Sequence, residues 1–363
     1  MRTLHVIMPQ KHEGIGGADM HVLDLAAQQL TIDDMEVAIA ARPSSRFRRL
    51  ARNSRVTVHN VSGGGTLFAA TSLSRILKTY KPDVVHSHGY DADYATQLAL
   101  LVTPSWRGIT IYTQHGIVTD TLTNKLKTRL NYAVYKRADG IIVVSEHLRT
   151  VVAPWTPPQV PIRFVPNAVR KGAINNHARR AAREYLGVHT DDPLPIVAFV
   201  GRLSREKRPE DALMVLERLG AEGRATTLVV GDGPMRTKLE SSAQWTKFLG
   251  VLDDPTAFFP GLDGILLLSD TEGTPRVIAE AMAHAAFVVA TDVGGCRSMV
   301  ESSNLATLVE CGDVESAYQA SCRHLSEEST REMSEPLTIE QMASLVVSLY
   351  NQAQSANRRL ASP

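Results

Sequence analysis

Short apolar runs alternate with amphipathic stretches along the whole chain, and this alternation constrains the fold more than any other feature. Strand–helix–strand repetition is the sequence form of βαβ units and parallel sheets. Between the runs of the first half lie helical patterns at Ala18–Leu30, Leu67–Tyr80 and Leu122–Lys136. The predicted strands of this half are Leu4–Met8, Val37–Ala40, Val56–Val58, Val84–His86, Ile109–Thr113, Ile141–Val144 and Arg163–Val165.

A second series of the same kind follows a polar segment. Pro166-Asn167-Ala168 and the polar stretch Arg170–Arg180 predict a domain crossing, which gives domains at 1–168 and 169–337. A chain of 363 residues suits two domains of ordinary size. The fold class predicted is α/β, with two doubly wound, Rossmann-like domains that face a central cleft. The predicted strands of the second series are Ile196–Val200, Thr227–Val230, Lys247–Leu249, Gly264–Leu268 and Phe287–Ala290.

Composition limits the function classes. A net charge of +1 gives no overall attraction to nucleic acid, so no nucleic-acid partner is expected. Three scattered cysteines form neither a disulfide framework nor a metal-binding spacing, which favours a reducing cytoplasm. The N-terminal MRTLHVIMPQ is too short in its apolar part for a signal peptide, and no apolar run approaches the roughly 18 residues that span a bilayer. A soluble protein is expected.

The first candidate loop, Glu13-Gly-Ile-Gly-Gly-Ala-Asp19, lies between the first strand and its helix. Backbone amides at Gly16 and Gly17 could approach a phosphate at the helix N-terminus. The loop departs from a dinucleotide fingerprint, because Asp19 stands where the third glycine is due. A plain tight turn is the alternative.

The second candidate loop, Gly201-Arg-Leu-Ser-Arg-Glu-Lys207, directly follows a predicted strand. A guanidinium from Arg202 and an ammonium from Lys207 would suit a diphosphate. Arg205 and Arg208 keep a solvated basic helix start open as the alternative.

The third stretch is Glu272-Gly-Thr-Pro-Arg-Val-Ile-Ala-Glu280. Thr274 is predicted as the N-cap and Pro275 as the first residue of a helix, whose amides would form a second anion site. Glu280 lies among apolar neighbours, where a carboxylate requires polar partners. A surface acid followed by a helix acid paired with a nearby base is the alternative.

Histidines end two strands of the first domain, at His86-Ser-His88 and at His115. Imidazoles at strand ends can donate hydrogen bonds to a reacting ligand, although a lone histidine is more often structural. Asp91-Ala-Asp93 has the form that holds a divalent ion against a diphosphate, but two acidic residues are also ordinary at a helix start. No metal is expected.

Together these residues resemble the family 4 retaining glycosyltransferases, which have the GT-B fold. Glu272 and Glu280 match the family's Glu-x7-Glu motif, and GRLSREK at 201–207 matches its Gly-Arg-Leu-x3-Lys. VVGDGP, FLGVL and TDVGG follow in the family's order. In the first half, GIGGADMHVLDLA, VVHSHG, TQHG and VVSEHL are similar to family elements, so the resemblance covers nearly the whole chain.

The resemblance implies a role for each matched residue. Glu272 would hold hydroxyls of the donor sugar, Glu280 the ribose hydroxyls, and Arg202 with Lys207 the leaving diphosphate. His115 would lie beside the transferred sugar and Leu252 beside the base. Transfer would be front-face and metal-independent, with a UDP- or GDP-linked sugar as donor and no cofactor. The final helix would return to the first domain, so that 338–363 joins 1–168. The backbone around Gly16 and Gly17, and around Thr274, Pro275, Arg276 and Val277, would assist.

The acceptor side is less specified. The resemblance implies a glycan or lipid-linked acceptor and a role in polysaccharide biosynthesis. Six arginines between Arg42 and Arg55, with Phe47 and Leu50 among them, could dock on an anionic membrane surface and place the protein on its cytoplasmic face. A solvated helix followed by an edge strand is the alternative. An epimerase on the same fold, or a sugar-nucleotide-binding protein without catalysis, also remains open.

Overall fold

The computed structural model describes residues 1–8, 16–62, 65–116, 134–170, 175–301, 303–326 and 337–361. The chain divides into two compact units. Unit 1 comprises Met1–Asn167 and Ile339–Pro363, and unit 2 comprises Ala168–Thr338. The predicted helix Leu122–Lys136 lies almost wholly outside the described residues, as do the first three residues of the loop that starts at Glu13.

Unit 1 is built on a seven-stranded sheet in which every neighbouring pair is parallel. The strand order is β3-β2-β1-β4-β5-β6-β7, so the direction of winding reverses between β1 and β4. The central strands are buried on both faces, as the covering helices require. The strands are β1 (Arg2–Ile7), β2 (Glu36–Ala41), β3 (Thr57–Asn60), β4 (Val84–His88), β5 (Ile109–Gln114), β6 (Gly140–Val143) and β7 (Ile162–Phe164).

The helices of unit 1 pack their apolar stripes on the two faces of this sheet. Leu73, Ile76 and Leu77 of one helix, for example, join a core with Leu4 and Val85 of the strands. The described helices before residue 167 are α1 (Gly17–Gln29), α2 (Ser45–Asn53), α3 (Thr66–Tyr80), α4 (Tyr90–Leu101) and α5 (Glu146–Val152), with a 3-10 turn at Ala153–Trp155.

Unit 2 repeats the architecture with six parallel strands in the order β10-β9-β8-β11-β12-β13, which reverses between β8 and β11. Its strands are β8 (Ile196–Val200), β9 (Thr226–Val230), β10 (Lys247–Gly250), β11 (Gly264–Leu267), β12 (Phe287–Thr291) and β13 (Ala306–Val309). Its helices are α6 (Asn176–Tyr185), α7 (Pro209–Ala221), α8 (Arg236–Ser242), α9 (Arg276–Met282), α10 (Cys296–Val300) and α11 (Val314–Ser326), with 3-10 turns at Arg205–Lys207 and Phe259–Gly261.

The last helix, α12 (Ile339–Ala361), belongs to unit 1 and is longer than the predicted Ile339–Tyr350. Its buried face includes Met342, Val346, Leu349 and Tyr350. The extension past Tyr350 has no strong apolar period, but it contains no glycine or proline and therefore keeps a helical backbone. Among the described helices, none is long and apolar enough to cross a membrane.

The arginine-rich run forms α2 rather than an apolar docking face. Ser44 caps the helix by accepting from the amide of Phe47 at 3.1 Å. Phe47 is 2% exposed and packs in the core of unit 1, whereas the side chains of Arg48, Arg49 and Arg52 are exposed. The expected Phe/Leu face therefore points inward, because the helix needs it to cover the sheet, and only the charge remains at the surface.

Candidate functional site

The reversal of strand order in unit 2 marks where a ligand is expected. In an open parallel sheet, ligands bind beyond the carboxyl ends of the strands at the point where the winding changes direction. In unit 2 that point lies between β8 and β11. The loops that follow these two strands are Gly201–Arg208 and Leu268–Pro275. They carry five of the site residues predicted from the sequence: Arg202, Lys207, Glu272, Thr274 and Pro275.

Lys207 and Glu272 are in direct contact at this edge. The Nζ atom of Lys207 lies 2.6 Å from Oε1 of Glu272, and the hydroxyl of Ser269 donates to the same oxygen at 2.7 Å. The Glu272 side chain is 6% exposed and that of Lys207 27%. A carboxylate so buried needs such partners, because the desolvation of an unpaired one would cost on the order of several kcal/mol. Ser269 had no distinguishing signal in the sequence.

The two loops are also tied to each other through their backbones. The amide of Asp270 donates to the carbonyl of Glu206 at 2.9 Å. The guanidinium of Arg208 bridges Asp211 and Asp270, with 3.1 Å from Nη1 to the Asp270 carboxylate. In the sequence, Arg208 favoured the alternative of a solvated basic helix start. In the structure, its side chain joins the two loops.

The TDVGG segment after β12 packs directly on the Glu272 backbone. Gly294 has φ of +56°, and a Cβ built there would lie 1.8 Å from the carbonyl oxygen of Glu272. The amide of Gly295 donates to the carbonyl of Gly273 at 2.8 Å. Only glycine permits both the left-handed backbone and the close approach. These contacts fix the position of the loop that carries Glu272.

A similar arrangement supports the loop that carries Arg202. A Cβ built on Gly231, whose φ is +142°, would lie 1.8 Å from the carbonyl oxygen of Gly201. The amide of Leu203 donates to the carbonyl of Asp232 at 2.9 Å. The half-buried Arg202 is therefore held between two backbone contacts at the carboxyl edge of β8.

Helix α9 begins one residue later than predicted. Pro275 is its N-cap, with φ of −71° and ψ of 111°, and Arg276 is its first residue. Thr274 is buried but is not the cap, because the extended conformation of Pro275 delays the first helical turn. Val277 and Leu252, the residue expected near a base, are both half-buried and pack against the same apolar core.

Glu280 pairs with Arg276 one turn earlier on α9. The distance from Nη2 of Arg276 to Oε1 of Glu280 is 3.2 Å, and the side chains are 4% and 14% exposed. The alternative of a helix acid paired with a nearby base is thus what the structure shows. The same carboxylate keeps acceptor capacity for further donors, because an ionised carboxylate offers about four lone-pair positions.

In unit 1, Gly16 is the N-cap of α1 and Gly17 its first residue. The amide of Gly16 donates to the carboxylate of Asp19 at 2.8 Å. The acid at the position of the missing third glycine therefore stabilises the start of α1.

His86, His88 and His115 are brought together, and two further histidines join them. His5 Nδ1 lies 3.0 Å from His88 Nε2, and His88 Nδ1 lies 3.3 Å from His115 Nε2. The ring centroid of His21 is 4.8 Å from that of His115. His5 and His21 were not singled out in the sequence, because a strand or helix pattern does not show whether a buried histidine belongs to a cluster or only fills the core.

Burial controls the charge of this cluster. It lowers the pKa of His5 to about 4, against the smaller opposing effect of the hydrogen bond to Gln29. Burial, reinforced by the neighbouring imidazoles, holds the pKa values of His86 and His88 well below the usual range. These three imidazoles are therefore neutral at pH 7.

The Asp91-Ala-Asp93 sequence starts α4, as an ordinary helix start would. Asp91 is exposed, whereas Asp93 is fully buried. Asp93 accepts from the hydroxyl of Ser87 and from Nε2 of Gln114, the latter at 2.7 Å. Burial raises the pKa of Asp93 to about 7. Because one carboxylate is in the core and the other at the surface, this pair does not form the two-carboxylate clamp considered in the sequence.

Two family profiles match the chain. Residues 15–171 match the family described as Glycosyltransferase Family 4, and residues 194–327 match the one described as Glycosyl transferases group 1. A GDP-mannose-dependent alpha-mannosyltransferase of Mycolicibacterium smegmatis is 32% identical over 170 residues, which is 46% of this chain. That match spans 41% of the relative, so the chain aligns with about two fifths of its length.

Two broader likenesses cover most of the chain. A 2-deoxystreptamine N-acetyl-D-glucosaminyltransferase of Streptomyces fradiae is 26% identical over 357 residues, 86% of this chain and 83% of the relative. The Anabaena protein HepE, solved in complex with UDP-glucose, superimposes with a TM-score of 0.75 at 19% identity over 98% of this chain and 99% of that one. At that identity the second likeness concerns the fold alone.

Proposed function

The chain belongs to the family 4 glycosyltransferases with the GT-B fold, and from this premise we propose that it moves a hexosyl group from a nucleotide-diphosphate sugar with retention of configuration. The acceptor is a glycan or a lipid-linked sugar. The observation that carries the proposal is the contact between Lys207 and Glu272 at the switch point of the unit 2 sheet. It joins a cation suited to a diphosphate with a carboxylate suited to sugar hydroxyls.

In the proposed complex, Glu272 accepts hydrogen bonds from donor hydroxyls while Lys207 and Arg202 neutralise the diphosphate. The ion pair stabilises the buried carboxylate before the ligand arrives and supplies the ammonium next to the bond that breaks. Cations placed in advance against a developing charge are each worth a factor of roughly 100 in rate. The amides of Thr274, Arg276 and Val277 add donors at the start of α9.

The proposed transfer occurs on one face of the donor sugar and needs no metal ion. The bond from the anomeric carbon to the diphosphate oxygen breaks, and a bond from that carbon to the acceptor oxygen forms on the same face. The acceptor's proton passes to the leaving phosphate. His115 contributes a hydrogen bond to the sugar, and the amides of Gly16 and Gly17 one to the phosphate, as the family resemblance implies.

The remaining residues bind the nucleoside. Glu280 accepts hydrogen bonds from the ribose hydroxyls while it remains paired with Arg276, and Leu252 borders the base. Among the relatives, one is named for GDP-mannose and one structural neighbour was solved with UDP-glucose. Both nucleotides are therefore donor candidates for this chain.

The acceptor side of the proposal rests on α2. The exposed arginines of this helix attract anionic headgroups electrostatically, at about 1 kcal/mol for each charge near the surface. Because Phe47 is buried, the proposed attraction does not involve insertion of α2 into the bilayer. A peripheral position on the cytoplasmic face of a membrane, in polysaccharide biosynthesis, is the setting that we propose.

The test measures release of nucleoside diphosphate from UDP- and GDP-linked sugars with a saccharide acceptor. Arg202→Met and Lys207→Met are each expected to lower kcat by about 100-fold. Arg224→Met is the matched control, because Arg224 pairs with Glu222 in the exposed turn after α7 and should leave kcat unchanged. Wild-type rates in both cationic-site variants would contradict the proposal.

The stereochemistry is tested separately. Proton NMR of the first product formed should show the anomeric configuration of the donor. An inverted product would contradict retention. Conversion of the nucleotide sugar to an epimer without release of nucleoside diphosphate would favour the alternative enzyme class.

A further inference from the structure

Three histidines of unit 1 have the arrangement of a metal site. His21 of α1, His88 of β4 and His115 after β5 each offer one ring nitrogen, and these atoms lie within 4.8 Å of one another. The 3.3 Å between His88 Nδ1 and His115 Nε2 equals the separation of ~3.3 Å that two ligands take around tetrahedral zinc at Zn–N distances of about 2.0–2.1 Å.

The hydrogen bonds of His88 orient it for ligation. Gln29 Oε1 lies 2.7 Å from Nε2 of His5, so His5 donates there and its Nδ1 carries the lone pair. That Nδ1 lies 3.0 Å from Nε2 of His88, so His88 donates to it. The Nδ1 atom of His88, which faces His115, is therefore the lone-pair nitrogen that a metal requires.

The same reasoning applies to His21. Its Nδ1 lies 3.0 Å from Oδ1 of Asn167, so the ring donates to a carbonyl oxygen and Nε2 carries the lone pair. A donated N–H that fixes the tautomer from behind is the usual environment of a metal-bound histidine. Asn167 and Gln29 therefore have the position of outer-shell residues.

The neighbouring trio of His5, His86 and His88 is less suited, although its nitrogens lie equally close. Both nitrogens of His86 are already engaged, at 2.6 Å from the hydroxyl of Tyr350 and at 2.6 Å from that of Thr113. Ligation by His86 would break one of these buried bonds. Ligation by His21, His88 and His115 replaces only the longer His88–His115 contact of 3.3 Å and leaves the bonds to Gln29, His5 and Asn167 intact.

We propose that His21, His88 and His115 bind one divalent transition-metal ion, and that zinc is a fitting ion because it takes three imidazoles and one water in a tetrahedral site. The three ring nitrogens lie within 4.8 Å of one another, so rotations of the rings can bring them to the ion.

Occupancy of this site has a functional consequence that rests on the proposed function. The ion would bind His115, the residue whose hydrogen bond is assigned to the donor sugar. Zinc is therefore expected to inhibit transfer rather than support it.

Binding is measured first, with Zn²⁺ competed against a chromophoric chelator and with the visible absorption of Co²⁺. Wild type should bind one ion of either metal, and the cobalt spectrum should be that of a four-coordinate site. His21→Gln should abolish this binding, and Asn167→Ala should weaken it about 10–100-fold through loss of the outer-shell bond. His189→Gln is the control, because His189 is an exposed histidine of unit 2 and should not change it.

Thermal unfolding of each variant identifies folding defects. If His21→Gln does not fold, Asn167→Ala still tests the site, because it keeps all three ligands. Equal zinc affinity in wild type, His21→Gln and Asn167→Ala would overturn the proposal, as would an octahedral cobalt spectrum. If zinc binds as expected but does not slow nucleoside diphosphate release, the metal site stands and the position assigned to His115 is wrong.

Discussion

At the scale of residues, the central feature is a carboxylate and an ammonium that stabilise each other before any ligand is present. Glu272 is the more buried partner, with 6% of its side chain exposed against 27% for Lys207. The two residues should therefore respond differently to removal of the other. An isolated ammonium near the surface is hydrated, whereas an isolated buried carboxylate is not.

Lys207→Met is expected to lower the free energy of unfolding by about 2–3 kcal/mol, because it leaves the Glu272 carboxylate with Ser269 alone. Glu272→Gln should cost only about 1 kcal/mol, since the amide oxygen can still accept from Lys207 or Ser269. Urea unfolding of the two variants measures the order. The reverse order would show that the carboxylate is better solvated than its burial indicates.

Asp93 gives a prediction about pH. Burial raises its pKa to about 7 in the folded protein, from 3.8 for a solvated aspartate. Between these values the folded protein holds a proton that the unfolded chain has lost, so stability from this group is present below pH ~4 and is lost as pH rises through about 7. The slope is at most about 1.4 kcal/mol per pH unit.

Asp93→Asn removes this dependence, and its amide can donate to Oε1 of Gln114, a buried atom without a hydrogen-bond partner among the described residues. The free energy of unfolding of the variant, relative to wild type, should therefore rise between pH 5 and pH 8. Other titrating groups are common to both proteins and cancel. Asp91→Asn, an exposed change on the same helix, should show no such trend. A constant difference for Asp93→Asn would contradict the raised pKa.

At the scale of elements, loops at the carboxyl edge of the unit 2 sheet are positioned by close backbone contacts that require glycine, in addition to the side-chain contacts of Arg208 and Ser269. Gly294→Ala should displace the Glu272 backbone, because a methyl group would lie 1.8 Å from the carbonyl oxygen. We expect a loss of stability of about 3 kcal/mol or more, together with weaker donor binding.

Gly223→Ala is the matched control, since Gly223 has a φ of +64° but no atom within 4 Å of the added carbon. It carries the same backbone strain as Gly294→Ala without the clash and should cost about 1 kcal/mol. Differential scanning calorimetry and donor titration of the two variants separate strain from packing. Equal effects would mean that the contact with Glu272 is not what requires glycine.

The elements themselves were largely predictable, whereas their side-chain partners were not. All twelve predicted strands overlap β1–β12, because each contains part of a short apolar run, which is typical of strands in a covered parallel sheet. The edge strand β13 was missed since Ala306–Val309 is only partly buried and follows a polar stretch. The loops with Lys207 and Glu272 were identified, but the pairing of these two side chains depends on the adjacency of β8 and β11, which are far apart in sequence. The histidine cluster was also not predictable as a whole, because its members come from α1, β1, β4 and the end of β5, which are far apart in sequence.

At the scale of the whole molecule, the chain ends in the unit where it began. Tyr350 of α12 fixes this return with its hydroxyl, which lies 2.6 Å from Nδ1 of His86 and accepts from Nε2 of Gln29 at 3.3 Å. Both partners belong to unit 1. The last helix thus completes a polar network that the first 167 residues leave unfinished.

Tyr350→Phe keeps the ring and removes the hydroxyl. Because two buried polar groups lose a partner, unit 1 should be destabilised by about 1–3 kcal/mol. In hydrogen exchange, amides of β4 and β5 should exchange faster, and those of β8 and β11 should not change. Tyr185→Phe, which removes an exposed hydroxyl in unit 2, is the control. Equal acceleration in both sheets would contradict a local role for Tyr350.

The central claim is that unit 2 binds a nucleotide sugar with Glu272 on the sugar and Lys207 on the diphosphate. Isothermal titration tests it with UDP, GDP and sugars linked to each, on wild type, Glu272→Gln and the surface control Glu240→Gln. Wild type and control should bind one nucleotide sugar more tightly than its bare nucleotide, and Glu272→Gln should lose that difference while it still binds the nucleotide. Absence of binding by every nucleotide sugar, or an unchanged difference in Glu272→Gln, would contradict the account.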